Sequence, residues 1–300
     1  MASPIGSANH RSRNGLGVLL ILGAMSIVPL IDVTAKALSQ HGMPVLQITL
    51  LRMIGGAMII APVLIRYHGA RALLPRNVPR ALKLGAYILG AAACFFAALQ
   101  YLPIAETLAI SFVQPLVVTL LSRLVLKERV DRARWGALFA GFAATIVIIR
   151  PGSEAFNPAS LLALASGVML AFYVITVRAS ASVVPALVTT FHTHIVSALL
   201  AAPFILLWWV PPNETHWQLC AALALVGVIG QFLIVKAYEY GEASLLAPLA
   251  YTEIVTSTLA GWWFFDEMPD SVTFLGVAAL IGCAIFISRS HAGPKEANRS

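Results

Sequence analysis

Four polar side chains, Asp32, Arg52, Gln114 and Glu253, stand inside long apolar stretches of the sequence. Charged side chains are costly within a lipid bilayer, and those that occur there commonly belong to solute or proton pathways. A carboxylate accepts hydrogen bonds and binds protons, a guanidinium donates to carboxylate or carbonyl oxygens, and an amide does both. These residue types therefore predict recognition of a small polar solute within a membrane.

Asp32 and Arg52 are predicted to lie at similar depths. At 1.5 Å per residue, Asp32 lies about 9 Å below the end of the first apolar stretch, and Arg52 about 12 Å below the adjoining end of the second. Two interpretations remain open. The two residues form a structural ion pair that holds their helices together, or Arg52 anchors an anionic or carbonyl-bearing substrate.

Gln114 and Glu253 occupy equivalent places in the two halves of the chain. Each precedes by 14 residues an acidic residue that ends an apolar stretch, Glu128 for Gln114 and Glu267 for Glu253. Both are predicted near mid-depth, with a proline nearby that frees backbone hydrogen-bonding groups. A glutamine in such a place also commonly joins two helices. We expect both side chains to face one central cavity.

Three tyrosines complete the predicted pathway, because a buried tyrosine hydroxyl requires a hydrogen-bonding partner and its ring offers a stacking face. These are Tyr101, Tyr173 and Tyr251. The three cysteines form no CxxC pair and are interpreted as packing residues, so the sequence predicts neither a metal site nor a cofactor.

The composition requires these residues to be positioned by membrane-spanning helices. Apolar residues make up 59% of the 300 residues and charged residues only 11%, which is too few charges for a soluble surface. A bilayer core needs about 20 apolar residues per helix. Ten stretches qualify, so we predict an all-α membrane protein with ten transmembrane helices. They run over 15–38, 44–65, 81–100, 103–126, 133–149, 159–177, 184–210, 217–238, 243–265 and 271–288.

The distribution of Lys and Arg predicts the orientation. With ten spans, seventeen of these residues fall on the side of both termini, and only Lys36 and Arg150 fall on the other. Short basic loops face the cytoplasm, so both termini are predicted cytoplasmic, in the inner (plasma) membrane. The net charge of +7 is thereby explained by membrane topology, and no nucleic-acid partner is expected.

The sequence repeats itself. The segment Ala98–Tyr101 aligns with Ala237–Tyr240, and Thr34–Lys36 aligns with Thr176–Arg178. Each copy holds five spans, an odd number, so the second copy enters the membrane from the opposite side and the chain forms two inverted-topology five-helix repeats. The predicted divisions are a cytoplasmic segment (1–14), a first repeat (15–150), a linker (151–158), a second repeat (159–289) and a cytoplasmic tail (290–300).

These repeated motifs, with Ala105, Pro115 and Glu128 in the first copy and Ser244 and Glu267 in the second, resemble the drug/metabolite transporter superfamily. The likeness is to its ten-span form with two EamA-type repeats, and it covers 15–288. The segments 95–106 and 247–253 resemble a subgroup that includes riboflavin and S-adenosylmethionine importers. The resemblance implies a small-molecule substrate and facilitated or ion-coupled transport without a nucleotide-binding domain.

The sequence therefore predicts a secondary transporter that moves a small metabolite by alternating access, with riboflavin uptake as the leading substrate. Export of amino acids or other amphiphilic metabolites, and S-adenosylmethionine import, are the alternatives. A membrane enzyme would need clustered His, Asp or Glu at ligand spacing, and a channel would need a ring of filter residues. Neither pattern is present in the sequence. The sequence leaves a homodimer open.

Overall fold

The computed structural model describes residues 5–125, 132–149, 156–179, 184–205, 208–240 and 252–291. Twelve α-helices and one 3₁₀ turn (Ala70–Leu73) are the regular elements of these residues. The helices are α1 (Ile5–Ile27), α2 (Pro29–Gln40), α3 (Val45–His68), α4 (Val78–Ala98), α5 (Ile104–Ser111), α6 (Gln114–Val125), α7 (Arg132–Ile149), α8 (Ala159–Arg178), α9 (Ala186–Ile205), α10 (Glu214–Tyr240), α11 (Thr252–Phe265) and α12 (Ser271–His291).

The twelve helices make ten spans, because α1 continues into α2 and α5 into α6. Six spans in the described residues are long and apolar enough to cross a membrane by themselves, the first of them Gly15–Gln40. Two shorter apolar segments, Ile104–Val118 and Phe139–Ile149, belong to the fourth and fifth spans. The chain is therefore a multi-pass, all-helical membrane protein, as predicted.

The first span is broken at a proline that follows Val28. Pro29 has no backbone N–H, so it cannot donate to the carbonyl of Met25 four residues earlier. The Thr256 hydroxyl, on α11, instead donates to that carbonyl at 2.6 Å. A helix of the second repeat thus satisfies the backbone group that the break leaves free, and the break is fixed in place.

The fourth span is broken in the same manner, between α5 and α6. Pro115 leaves the carbonyl of Ser111 without its helical donor. Here α8 approaches so closely that a Cβ atom at Gly167 would lie 2.5 Å from the Ser111 carbonyl oxygen. The Ser111 hydroxyl in turn donates to the Ala163 carbonyl at 3.0 Å. Only glycine at position 167 permits this approach.

Helix packing follows the pseudo-two-fold relation between the repeats. Helix α4 of the first repeat packs on α8 of the second, as α10 of the second packs on α1 of the first, and α4 contacts α9 as α10 contacts α3. The pairs that the axis relates to each other also touch: α3 with α9, α5 with α11, and α7 with α12. This is the arrangement expected of two inverted five-helix repeats, and it confirms the predicted fold class.

Candidate functional site

Four titratable side chains, two from each repeat, lie near one another: Asp32, Arg52, His194 and Glu253. We call this group the central cluster. Arg52, on α3, interacts electrostatically with Asp32 on α2 and with His194 on α9. Asp32 in turn interacts with Glu253 on α11. Two residues come from each repeat, so the cluster lies at the repeat interface, where transporters of this architecture bind their substrates.

Arg52 keeps an unused hydrogen-bond donor in this cluster. Its Nε atom is buried and finds no acceptor among the described residues. The guanidinium carbon lies 5.7 Å from the centre of the Phe96 ring, at cation–π distance. Gly227, on α10, lies beside this atom, since a Cβ atom there would be at an ordinary contact distance of 3.6 Å from Nε. The guanidinium is therefore held in place and still able to bind an oxygen acceptor.

The predicted neighbourhood of Asp32 and Arg52 is present, yet the two groups form no direct ion pair in the described part of the chain. Asp32 is 6% exposed and Arg52 is half-buried. The two groups interact electrostatically without direct contact. Whether the pair serves structure or substrate binding stays a prediction.

Three of the predicted site residues lie where a helix begins. Asp32 and Glu253 lie in the first turns of α2 and α11, and Gln114 is the first residue of α6. The N-terminal turn of a helix carries a partial positive charge that favours carboxylates and other anionic groups. Discontinuous helices that point such ends toward the repeat interface are a common device for binding solutes in transporters.

Helix α5, which precedes the helix of Gln114 in the same span, packs against α11, the helix of Glu253. Leu108 on α5 and Ile254 on α11 share one hydrophobic cluster, with Phe112 packed against it. Gln114 itself is half-buried. The contact of its side chain with Glu253 or with a common cavity remains a prediction.

The predicted tyrosines lie in different places. Tyr173, on α8, hydrogen-bonds the Thr193 side chain and interacts electrostatically with Arg80, which points it toward the arginine-rich end of the molecule. Tyr101 lies in the turn between α4 and α5 and is 66% exposed. Tyr251 lies outside the described residues. The structure thus brings Asp32, Arg52 and Glu253 together but does not join Tyr101 or Tyr173 to them.

Two residues outside the predicted site set, His194 and Ser257, lie near it. The ring of His194 packs against the backbone of Gly56, one turn from Arg52 on α3, and its Nδ1 atom lies 2.9 Å from the Thr190 carbonyl. Ser257 is fully buried with no hydrogen-bond partner for its hydroxyl in the described residues. Its spacing of four residues from Glu253 places both on one face of α11, a signal that the sequence does contain.

A buried ion pair closes the interface at the end opposite the arginine-rich loops. The Lys36 ammonium lies 2.5 Å from a Glu267 carboxylate oxygen and also donates to the Leu102 carbonyl at 3.0 Å. The other Glu267 oxygen accepts from the Ile104 backbone N–H at 3.3 Å. We call this group the Lys36–Glu267 latch. It ties the end of α2 and the α4–α5 turn, in the first repeat, to the second repeat.

Comparisons with known proteins agree with this architecture. The EamA-like transporter family matches residues 15–150 and 157–289. The pseudopaline exporter of Pseudomonas aeruginosa is 28% identical over 92% of this chain and 97% of its own length. The riboflavin transporter of Vibrio cholerae is 28% identical over 94% and 95% of the two chains, and the S-adenosylmethionine uptake transporter of Rickettsia prowazekii is 28% identical over 62% and 63%. One crystal structure, 22% identical, shares the fold with a TM-score of 0.64 over 94% of this chain and 99% of its own.

Proposed function

Because the chain belongs to the EamA-like transporter family and is a transporter of small metabolites, not an enzyme, we propose that it carries its substrate by alternating access around the central cluster. The observation that carries this proposal is the placement of Asp32, Arg52, His194 and Glu253, two from each repeat, at one interface. A site shared by two inverted repeats changes its exposure when one repeat rocks against the other.

The charges of the central cluster favour a substrate that carries both signs. Arg52 offers a free donor for a carboxylate, and Asp32 and Glu253 offer acceptors for an ammonium or another cationic group. A substrate that pairs with these buried charges is bound favourably, because a buried charge without a partner costs free energy. A zwitterionic, amino-acid-derived metabolite is therefore the substrate class that this geometry supports best. The relative that transports S-adenosylmethionine, a zwitterionic amino acid derivative, is in line with it.

Riboflavin uptake, the leading substrate from the sequence, is the second candidate. It is supported by the relative from Vibrio cholerae, which matches nearly the whole chain. Phe96, 3% exposed, lies at Arg52 and supplies an aromatic neighbour at the cluster. The isoalloxazine ring of riboflavin carries carbonyl groups that would accept from the guanidinium, but riboflavin offers no cationic partner for Asp32 and Glu253.

The Lys36–Glu267 latch closes one side of the transporter. In the conformation described here, the latch joins the two repeats on one side of the membrane. Alternating access requires that side to open in another conformation, so the ion pair must break in each cycle. The predicted orientation makes this the outer side. The inner-membrane location and the cytoplasmic termini belong to the same proposal.

Counterflow in proteoliposomes tests the function and separates the substrates. Vesicles loaded with unlabelled S-adenosylmethionine, riboflavin or an amino acid mixture are diluted into a trace of the same labelled compound. Transient accumulation that saturates with concentration supports a carrier, and the compound that produces it identifies the substrate class. Accumulation with riboflavin alone would replace the zwitterion proposal by the second candidate. Flux that rises linearly without counterflow would contradict alternating access and favour a channel.

A further inference from the structure

A second cavity lies away from the central cluster, at the arginine-rich end of the molecule. It has a volume of about 520 Å³ and lies between the α3–α4 connection of the first repeat and the facing ends of α8 and α9 in the second. Four of its lining residues, all in the first repeat, are arginines or a histidine: His68, Arg71, Arg76 and Arg80. His192, on α9, lines the opposite wall.

No acidic residue is among the described residues that line this cavity. The sequence contains no Asp or Glu from residue 33 to residue 105 or from residue 155 to residue 213, and these two stretches contain every described residue that lines the cavity. The electrostatic potential inside a cavity lined by one sign of charge is focused by its low-dielectric walls. An anion from outside the chain would therefore be strongly attracted to it.

Arg80 is positioned to donate into this cavity. Its side chain is half-buried, and its Nε atom is buried without an acceptor in the described residues. One terminal nitrogen donates to the Thr189 hydroxyl at 3.3 Å, which holds the guanidinium against α9. The Asn77 side chain accepts from the Arg80 backbone N–H at 3.0 Å and so fixes the start of α4. Arg71 and Arg76, by contrast, are exposed and reach the cavity from its rim.

The other polar groups that face Arg80 do not neutralise it. The Tyr173 hydroxyl interacts with it electrostatically from α8 and hydrogen-bonds Thr193. The Nε2 atom of His192 lies 2.9 Å from the Ala72 carbonyl. A hydroxyl and an imidazole carry no negative charge, so they leave the positive charge of the guanidinium available. Guanidinium groups that converge in this way favour phosphate, which accepts several charge-assisted hydrogen bonds at once.

We propose that this cavity binds a phosphate group, with Arg71, Arg76 and Arg80 as its ligands. The cavity lies where the spans of α3 and α4 end, the depth of lipid headgroups, and basic pockets between transmembrane helices commonly bind anionic headgroups. A phosphate-bearing solute at the same membrane surface offers the same chemistry. The site is separate from the central cluster, so its test does not depend on the transported substrate.

Native mass spectrometry of the full-length protein tests the lipid source. The protein is titrated with dioleoyl phosphatidylglycerol or, for comparison, with dioleoyl phosphatidylcholine. We expect preferential binding of phosphatidylglycerol that is about fivefold weaker in R71Q, R76Q and R80Q, since one basic residue near the membrane surface contributes about that factor. R66Q is the matched control, because Arg66 is an exposed arginine of the same helix end that does not line the cavity.

A thermal-shift titration with inorganic phosphate, in detergent without lipid, tests the soluble source. Stabilisation by phosphate that R71Q and R76Q reduce and R66Q retains, without a preference for phosphatidylglycerol, assigns the cavity to a soluble phosphate compound. Arg71 and Arg76 are exposed, so R71Q and R76Q should fold normally and still test the site if R80Q does not fold. The proposal is overturned if the three variants and R66Q have the same affinity for phosphatidylglycerol and the same response to phosphate.

Discussion

At the scale of single residues, Asp32 is the most informative to change. Asp32→Asn removes one charge of a buried, electrostatically coupled pair and leaves Arg52 uncompensated. Removing the opposite charge beside a buried guanidinium is destabilising, so the amount of folded protein should fall severalfold. Membrane abundance measured by fluorescence-detected size exclusion checks this result.

The double variant Asp32→Asn/Arg52→Gln separates the two interpretations of the pair. Neutralising both residues should restore abundance. Restored transport would then make the pair structural, whereas an abundant but inactive double variant would make Arg52 a substrate ligand. Normal abundance and transport in both single variants would remove both interpretations.

Glu253 carries the prediction about coupling. Glu253→Gln keeps the size and hydrogen bonding of the side chain and removes its ability to exchange a proton. If Glu253 couples transport to a proton gradient, gradient-driven accumulation should be lost while substrate-for-substrate exchange continues. Glu214→Gln, an exposed carboxylate at the start of α10, is the control. Unchanged accumulation and affinity in Glu253→Gln would exclude Glu253 from both coupling and binding.

The proximity of Asp32 and Arg52 was predictable from the sequence, but the other residues beside them were not. The fixed rise of a helix is enough to bring Asp32 and Arg52 to similar depths. The contribution of His194 depends on the packing of α3 against α9, where the ring meets the backbone of Gly56. No local pattern contains that information. The ion pair of Lys36 with Glu267, 231 residues apart, likewise depends on helix packing that no local pattern predicts.

At the scale of elements, the Lys36–Glu267 latch is expected to hold its end of the protein closed. Glu267→Gln alone should destabilise the fold, because Lys36 is 5% exposed and would lose its partner. The double variant Lys36→Gln/Glu267→Gln should fold and expose the interface beneath the latch. A cysteine at Leu108, buried on α5, should then react severalfold faster with a thiol reagent in purified protein.

The neighbouring carboxylate provides the control for the latch. Asp266→Asn changes an exposed residue next to Glu267 and should leave the reactivity of the cysteine unchanged. If the double variant folds and the cysteine at position 108 reacts at the original rate, the ion pair does not close this end. The latch would then be a structural contact between the repeats.

The number and order of the spans were predictable because apolar length alone determines which segments cross a bilayer. The breaks within spans were predictable to different degrees. Pro115 was recognised as freeing a backbone group, and α5 indeed ends at Ser111, just before it. The break after Val28 was not predicted, although Pro29 causes it by the same chemistry. Its stabilisation by Thr256 depends on α11, which only the fold brings to that point.

At the scale of the whole molecule, the topology is the first expectation to test. Both termini and the 66–80 connection are predicted cytoplasmic, and 266–270 outside, from the seventeen-to-two distribution of Lys and Arg. A cysteine introduced at Ser271, in a background free of the native cysteines, should react with a membrane-impermeant reagent in intact cells. Reaction only after permeabilisation would mean that the orientation or the span count is wrong.

The central claim is that the central cluster binds the transported metabolite. Equilibrium binding of that metabolite, identified by counterflow, to Arg52→Gln and to Arg66→Gln tests it most directly, because both arginines belong to α3 and only Arg52 belongs to the cluster. Loss of a charge-assisted hydrogen bond predicts binding about tenfold to a hundredfold weaker in Arg52→Gln and unchanged in Arg66→Gln. Equal affinity of both variants and the unmodified protein, at normal folded abundance, would contradict the account.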